Sequence, residues 1–221
     1  MIIAGGSCGP TLRDLSGAPA YTYSFGGGEE VPGLWEKILE GERMNYGMSA
    51  GSPGLDEGVY NDNGIVPGHA YSLLAGRVVV DKRGNEVCLV QLRNPWKEGE
   101  WNGRFSDSSD DWTPQLQREL GWSDANDGIF WMTYEDMITV FDQVDICKID
   151  DRAVYSFLAL SESHAGYSLI KFTVEENCNR LTTFAVTQKG CRTEEANGMA
   201  FDLNDYTRRV DVGFCRIRNP A

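Results

Sequence analysis

The chain is predicted to be an α+β protein built on an antiparallel sheet, followed by a β-rich, sandwich-like module. Three observations carry that prediction. A hairpin pattern runs from Gly68 to Trp96: a β-rich apolar stretch to Val80, the polar turn Asp81-Lys82-Arg83-Gly84-Asn85, and a second apolar run from Val87 to Leu92. Apolar residues at helical spacing stand on either side of it, at Leu34, Trp35, Ile38 and Leu39, and again at Met137, Val140, Phe141 and Val144. From Tyr155 the pattern changes to short alternating runs, 155–160, 167–174, 181–187 and 210–217, separated by turns rich in Glu, Asn and Gly. The change divides the chain into residues 1–150 and 151–221, and the second part is long enough only for a small or incomplete sandwich.

Composition bounds the function. With 41% hydrophobic and 24% charged residues, the 221-residue chain can bury a core and suits one large domain, or a domain plus part of another. Twenty basic against 33 acidic residues give a net charge of −13, which argues against a nucleic-acid backbone as partner and leaves basic peptides or cations. No apolar run approaches the roughly 18 residues of a membrane span. Met1-Ile2-Ile3-Ala4 breaks at Gly5-Gly6, short of a signal-peptide apolar region. The six cysteines, Cys8, Cys88, Cys147, Cys178, Cys191 and Cys215, form no Cys-x-x-Cys pair and read as reduced thiols of a cytoplasmic protein.

Taken in order, residues 1–33 are rich in Gly, Pro and Ser and read as loop; no Lys-Ser/Thr follows Gly26-Gly27-Gly28, so the glycines do not form a phosphate loop. Pro32 opens a short helix that ends at Gly41, with Trp35 on its buried face. Tyr46 to Ala50 reads as a strand. The polar segment from Gly51 to Pro67 is either a lid at the mouth of a site or a tolerated surface insertion. Between Glu98 and Gly128 stand eight carboxylates, Glu98, Glu100, Asp107, Asp110, Asp111, Glu119, Asp124 and Asp127, against Arg104 and Arg118. Such oxygen donors suit calcium, but no EF-hand spacing is present, so spacing alone favours a solvated acidic face. Thr133 then caps a helix, with Asp136 three residues on, before the strand Ile146-Cys147-Lys148-Ile149. His164 lies in a polar turn without a neighbouring cysteine or histidine and reads as a surface residue.

The chemistry concentrates at the open end of the hairpin. Of only two histidines, His69 heads the first strand, and Asn94 ends its partner. That placement can hold an imidazole beside a carboxamide, and an imidazole acting as general base needs such a group to fix its tautomer and ring plane. Gly68-His69-Ala70-Tyr71-Ser72 followed by Arg93-Asn94-Pro95-Trp96 resembles the catalytic histidine and asparagine motifs of the calpain family of papain-like cysteine proteases. Pro95 favours that family over other papain relatives, which generally have Asn-Ser-Trp. Asp14-Leu15-Ser16-Gly17, Trp101-Asn102-Gly103-Arg104-Phe105-Ser106-Asp107 and Asp127-Gly128-Ile129-Phe130-Trp131-Met132 extend the resemblance across residues 14–148 in the family's order.

The resemblance implies a papain-like second catalytic lobe in residues 1–150, with a β-sandwich faintly suggested after it. It makes His69 the general base and acid, Asn94 its orienter, and Trp96 the aromatic cover of their hydrogen bond. The implied reaction is calcium-regulated cleavage of protein or peptide substrates through a thioester. Glu100, Asp107 and Asp127, with the Ala125 carbonyl, fall at the family's calcium-binding positions. Ile129 stands where a further glutamate is common, so calcium is expected to bind weakly, and Lys97 replaces the glycine usual after Asn-Pro-Trp. The family's nucleophile belongs to a Gly-Asp-Cys-Trp-like segment on the other lobe, and none occurs here. Cys8, in Gly6-Ser7-Cys8-Gly9-Pro10, reads as a loop residue with neither a tryptophan nor a helix after it. The chain alone is therefore expected to be inactive and to need the nucleophile-bearing lobe as partner. The alternative, of a different class, is a non-catalytic calpain-like binding or regulatory module. A transglutaminase-type thiol enzyme is disfavoured, since those enzymes orient histidine with aspartate.

Overall fold

The hairpin forms part of a six-stranded sheet. In the computed structural model, which describes residues 8–26, 29, 31–54, 61–97 and 99–150, its strands are β3 (Ala70–Val80) and β4 (Glu86–Arg93). The elements before it are α1 (Cys8–Ser16), β1 (Ala20–Ser24), α2 (Leu34–Arg43) and β2 (Gly47–Gly51). After it come α3 (Pro114–Leu120), β5 (Ile129–Thr133), α4 (Tyr134–Val140) and β6 (Gln143–Cys147). The sheet order is β1-β6-β2-β3-β4-β5, and every neighbouring pair is antiparallel. All the described residues lie in one unit spanning 7–158; the β-rich module expected from Tyr155 and His164 fall outside the described residues.

One irregularity in the hairpin decides which side chains meet. From the turn to Ala75↔Gln91 the register is regular, but the next pair is Leu73↔Leu92, so Leu74 is an extra residue in β3. Leu73 is buried and Leu74 is 40% exposed. An unbroken register would set Leu74 opposite Leu92 and Ser72 opposite Asn94, leaving His69 on the other face from Asn94. The bulge shifts the alternation by one, so that His69, Tyr71 and Leu73 share a face with Leu92 and Asn94.

That face carries the larger core. Tyr71, Leu73, Val90 and Leu92 pack with Phe130 and Met132 of β5, Val144 and Ile146 of β6, and Leu34 and Ile38 of α2. The opposite face of β3, β4 and β5, with Ala75, Val79, Val87, Leu89 and Trp131, is covered by Phe105 and by Leu116 of α3. Burying these side chains contributes about 1.5–3 kcal/mol each, which fixes the strands that carry the site.

Several expectations are corrected. The loop through residue 33 in fact holds α1 and β1: Pro10 sits in the first turn of α1, where it costs no helical hydrogen bond, and β1 pairs with β6. Asp145, fully buried on β6, accepts hydrogen bonds from Thr22 (2.5 Å) and Gln143 (3.0 Å), and Gly9 packs so closely on it that a Cβ there would lie 2.5 Å from its Oδ1. That close contact seats α1 on the sheet. Cys8 is thus the first residue of a helix, not part of a loop. Helix α2 starts at Leu34, two residues after Pro32, and runs past Gly41 to Arg43; Gly41 does not end it but packs on Met48, where a Cβ would come within 2.5 Å of the sulfur. Trp35 is partly buried against the larger core and packs on Tyr134, with ring centroids 5.2 Å apart. The last strand begins at Gln143 and ends at Cys147, earlier than Ile146–Ile149.

Within the acidic segment a whole helix, α3, went unread as such, although its signals are present. Thr113 caps the Leu116 amide at 3.2 Å, Pro114 is the first helical residue, and Gly121 closes the helix with φ 62°. Thr133 caps α4 as expected, accepting from the Asp136 amide at 3.0 Å. Among the described residues no helix is long and apolar enough to cross a membrane.

Candidate active site

His69 immediately precedes β3 and Asn94 immediately follows β4, and the bulge at Leu74 brings their side chains onto one face. His69 Nε2 lies 3.0 Å from Asn94 Oδ1. The amide orientation is set by two further contacts: Oδ1 also accepts the Trp96 backbone N–H at 3.1 Å, while Nδ2 donates to the Gly99 carbonyl at 3.3 Å. An oxygen facing Nε2 requires the proton on Nε2, which leaves Nδ1 with the free lone pair. Asn94 is fully buried and His69 is 8% exposed, so this bond is shielded from competing water. Trp96 covers the imidazole from outside, with ring centroids 4.2 Å apart at 45°, while remaining 42% exposed itself. Tyr71 supports the imidazole edge-on at 5.1 Å. His69, Asn94 and Trp96 are therefore brought together.

No described cysteine completes this pair. Cys147 alternates with Val144 and Ile146 on β6 and so faces away from the larger core, and α1, which begins at Cys8, packs on that same far side through Gly9 and Asp145. Cys88 lies in the middle of the hairpin, opposite Val78.

The acidic residues lie beside the asparagine turn. Burial first, and then the neighbouring carboxylates of Glu100, Asp127 and Asp124, push the Asp107 carboxyl up to about 7. Its buried Oδ2 has no hydrogen-bond partner. Glu100 Oε1 accepts the Gly128 amide at 2.7 Å, Asp127 Oδ1 accepts the Ile129 amide at 2.9 Å, and the Ala125 carbonyl accepts the Asp127 amide at 2.8 Å. The orphaned carboxylate oxygen and the all-oxygen donor set suit a hard cation. Even so, among the described residues no three His, Cys, Asp or Glu side chains converge on one metal position, so a cation would have to draw these groups closer together.

One residue joins the acidic cluster to the His69–Asn94 pair. Gly128 donates its N–H to Glu100, and its carbonyl accepts the Asn94 amide at 2.8 Å. It has φ +84°, and a Cβ there would sit 2.7 Å from the Asn94 carbonyl oxygen and 3.0 Å from Lys97 Cα. Lys97 itself has φ +65°, a left-handed conformation that glycine adopts without strain. Neither Gly128 nor Ser52, which hydrogen-bonds the His69 backbone, stands out in the sequence; the Asp127-Gly128 pair before a strand is the one available signal.

Comparison with known proteins settles the kinship. Residues 1–148 match the sequence pattern of the calpain family of cysteine proteases. The chain belongs to that family. It is 39% identical over 121 residues to calpain-type cysteine protease DEK1 of Arabidopsis thaliana, covering 54% of this chain and 5% of that protein. It is 34% identical over 160 residues to human calpain-9, covering 69% of this chain and 22% of the relative. With Drosophila melanogaster calpain-A it is 33% identical over 200 residues, 86% of this chain and 23% of the relative. The chain thus spans less than a quarter of the length of these calpains.

Proposed function

We propose that residues 1–150 supply the acid–base half of a calpain-type cysteine endopeptidase acting on protein substrates, with the thiol provided by a second, nucleophile-bearing lobe. The observation that carries this reading is the shielded contact of His69 Nε2 with Asn94 Oδ1 at 3.0 Å. With Nε2 protonated, Nδ1 takes the proton of the incoming cysteine thiol, and the thiolate attacks the scissile carbonyl. The imidazolium so formed donates that proton to the leaving amine as the thioester forms. Nδ1 then takes a proton from the water that hydrolyses the thioester, and returns it to the departing thiolate. Asn94 stays neutral throughout, holding the ring in plane, and Trp96 keeps water from the Nε2–H bond.

We further propose calcium as a regulator, bound only once the acidic groups are drawn together. The residues that would hold it are Glu100, Asp107 and Asp127 with the Ala125 carbonyl, and the ion would supply the positive charge that these crowded carboxylates lack. Because Ile129 contributes no carboxylate and the donors must first be drawn together, affinity belongs at the weak end, on the order of 0.1–1 mM or poorer.

The function is tested by joining the chain to the nucleophile-bearing lobe of a calpain relative and measuring peptide hydrolysis with calcium. Cleavage that His69→Ala abolishes supports the proposal. A folded, complete assembly without any cleavage would instead support a non-catalytic binding module.

A further inference from the structure

Resting on the reading of His69 as the general base, we infer that Ser52 is a positioning residue for it, holding the histidine backbone so that the ring reaches Asn94. Ser52 follows the last residue of β2 and continues the β2–β3 ladder beyond Gly51↔Ala70, so it stands opposite His69. In a regular antiparallel pair of this kind the two backbones exchange both N–H···O bonds. Here the Ser52 amide donates to the His69 carbonyl at 3.0 Å, but the return bond is made by the side chain: the His69 amide donates to Ser52 Oγ at 3.0 Å. The hydroxyl in turn donates to the Val66 carbonyl at 2.5 Å. One buried side chain thus takes the place of a backbone carbonyl and also ties the chain three residues ahead of the histidine.

The substitution has a geometric reason. One more backbone bond follows, from the Gly68 amide to the Pro53 carbonyl at 3.1 Å, before Gly54 (φ +116°) turns the chain away. His69 therefore lies where the regular ladder gives way to a turn, and the hydroxyl closes its rung. Tyr71 takes part as well: its phenol oxygen accepts the Val66 amide at 2.8 Å while its ring supports the imidazole edge-on. Val66 is thereby held at both its N–H and its carbonyl. Ser52 is 7% exposed and Val66 is fully buried, so no solvent replaces the hydroxyl when it is removed. An alanine would leave the His69 amide and the Val66 carbonyl without the hydroxyl, and His69 would keep across the ladder only the bond from the Ser52 amide to its carbonyl.

The test uses the full 221-residue chain labelled with 15N. Long-range 1H–15N spectra at pH 8 report the tautomer of both imidazoles, and His164 serves as the internal reference. Wild-type His69 should show the Nε2–H form. In Ser52→Ala the His69 signals should move towards a tautomer average and its backbone amide should exchange with solvent at least tenfold faster, with His164 unchanged; Ser52→Thr, which restores the hydroxyl, should recover both. A purely structural role would lower the melting temperature of Ser52→Ala while leaving the His69 tautomer as in wild type, and that result overturns the inference. Should Ser52→Ala fail to fold, the same two readouts on Ser52→Cys, with its weaker hydrogen-bonding sulfur, decide the matter by the same criteria. If wild-type His69 is itself averaged, the His–Asn pair fails, whereas a Ser52→Ala amide still exchanging faster keeps the Ser52 clamp; the two failures are therefore distinguishable.

Discussion

Gly128→Ala should loosen the active site from a distance, and a second glycine calibrates the effect. Gly128 and Gly84 have nearly the same positive φ, +84° and +87°, but different surroundings. A Cβ at Gly84 meets nothing within 4 Å, so Gly84→Ala carries only the left-handed backbone cost of an L-residue, about 1–2 kcal/mol. At Gly128 the Cβ would lie 2.7 Å from the Asn94 carbonyl oxygen and 3.0 Å from Lys97 Cα. Both neighbours are backbone, so relief means moving the Asn94–Lys97 turn by several tenths of an ångström, which adds about 1–3 kcal/mol. Urea unfolding followed by tryptophan fluorescence should therefore place Gly128→Ala about 1–3 kcal/mol below Gly84→Ala. Because the displaced residue is Asn94, the His69 15N signals should change in Gly128→Ala and stay fixed in Gly84→Ala. Equal destabilisation of the two variants, with His69 unperturbed in both, would refute the reasoning.

Other expectations follow from the same geometry. Lys97→Gly should stabilise the chain by up to about 1 kcal/mol, measured by urea unfolding, since it relieves the left-handed strain at φ +65°. Asn94→Ala should lower hydrolysis by the assembled enzyme on the order of 10² to 10⁴-fold, seen mainly in kcat, as the base loses its tautomer control. Asp107, lifted from 3.8 to about 7, holds its proton more tightly when folded than when unfolded, so its contribution to stability is full below about pH 4 and is lost as pH rises through about 7. Calcium bound through Asp107, as proposed, would have to displace that proton. Its apparent affinity, followed by tryptophan fluorescence against a magnesium control at constant ionic strength, should therefore rise from pH 6 to pH 8, and Ile129→Glu should tighten it. The isolated chain should hydrolyse no peptide with or without calcium, since no described cysteine adjoins His69; turnover abolished by Cys8→Ala would contradict this.

The hairpin, the Thr133 cap and the residues of the His–Asn pair were legible because their signals are local: alternation, a polar turn, a capping spacing and short motifs. The sheet's outer strand and α1 were not. Ala20–Ser24 is only five residues long and flanked by a glycine-rich run, and α1 is held by its contact with Asp145, more than a hundred residues away in sequence. The register was also hidden. Nothing in Tyr71-Ser72-Leu73-Leu74-Ala75 announces that Leu74 is an extra residue, because Leu73, Leu74 and Ala75 are three successive apolar residues that suit either face. Yet that bulge decides whether His69 and Asn94 share a face. Ser52 and Gly128 escaped for a related reason, since a serine hydroxyl that replaces a strand carbonyl, and a glycine pressed against a turn, are defined only by what the fold places opposite them.

The central claim is that Asn94 holds His69 with its proton on Nε2 and its Nδ1 free to act as base. The most direct test is the 15N spectrum of the two imidazoles in the wild-type chain at pH 8, compared with Asn94→Ala. The account predicts a single Nε2–H tautomer for His69 in wild type, with the signals moving to an averaged position in Asn94→Ala and those of His164 unchanged. A wild-type His69 in the Nδ1–H form, or one whose signals do not respond to Asn94→Ala, would contradict it.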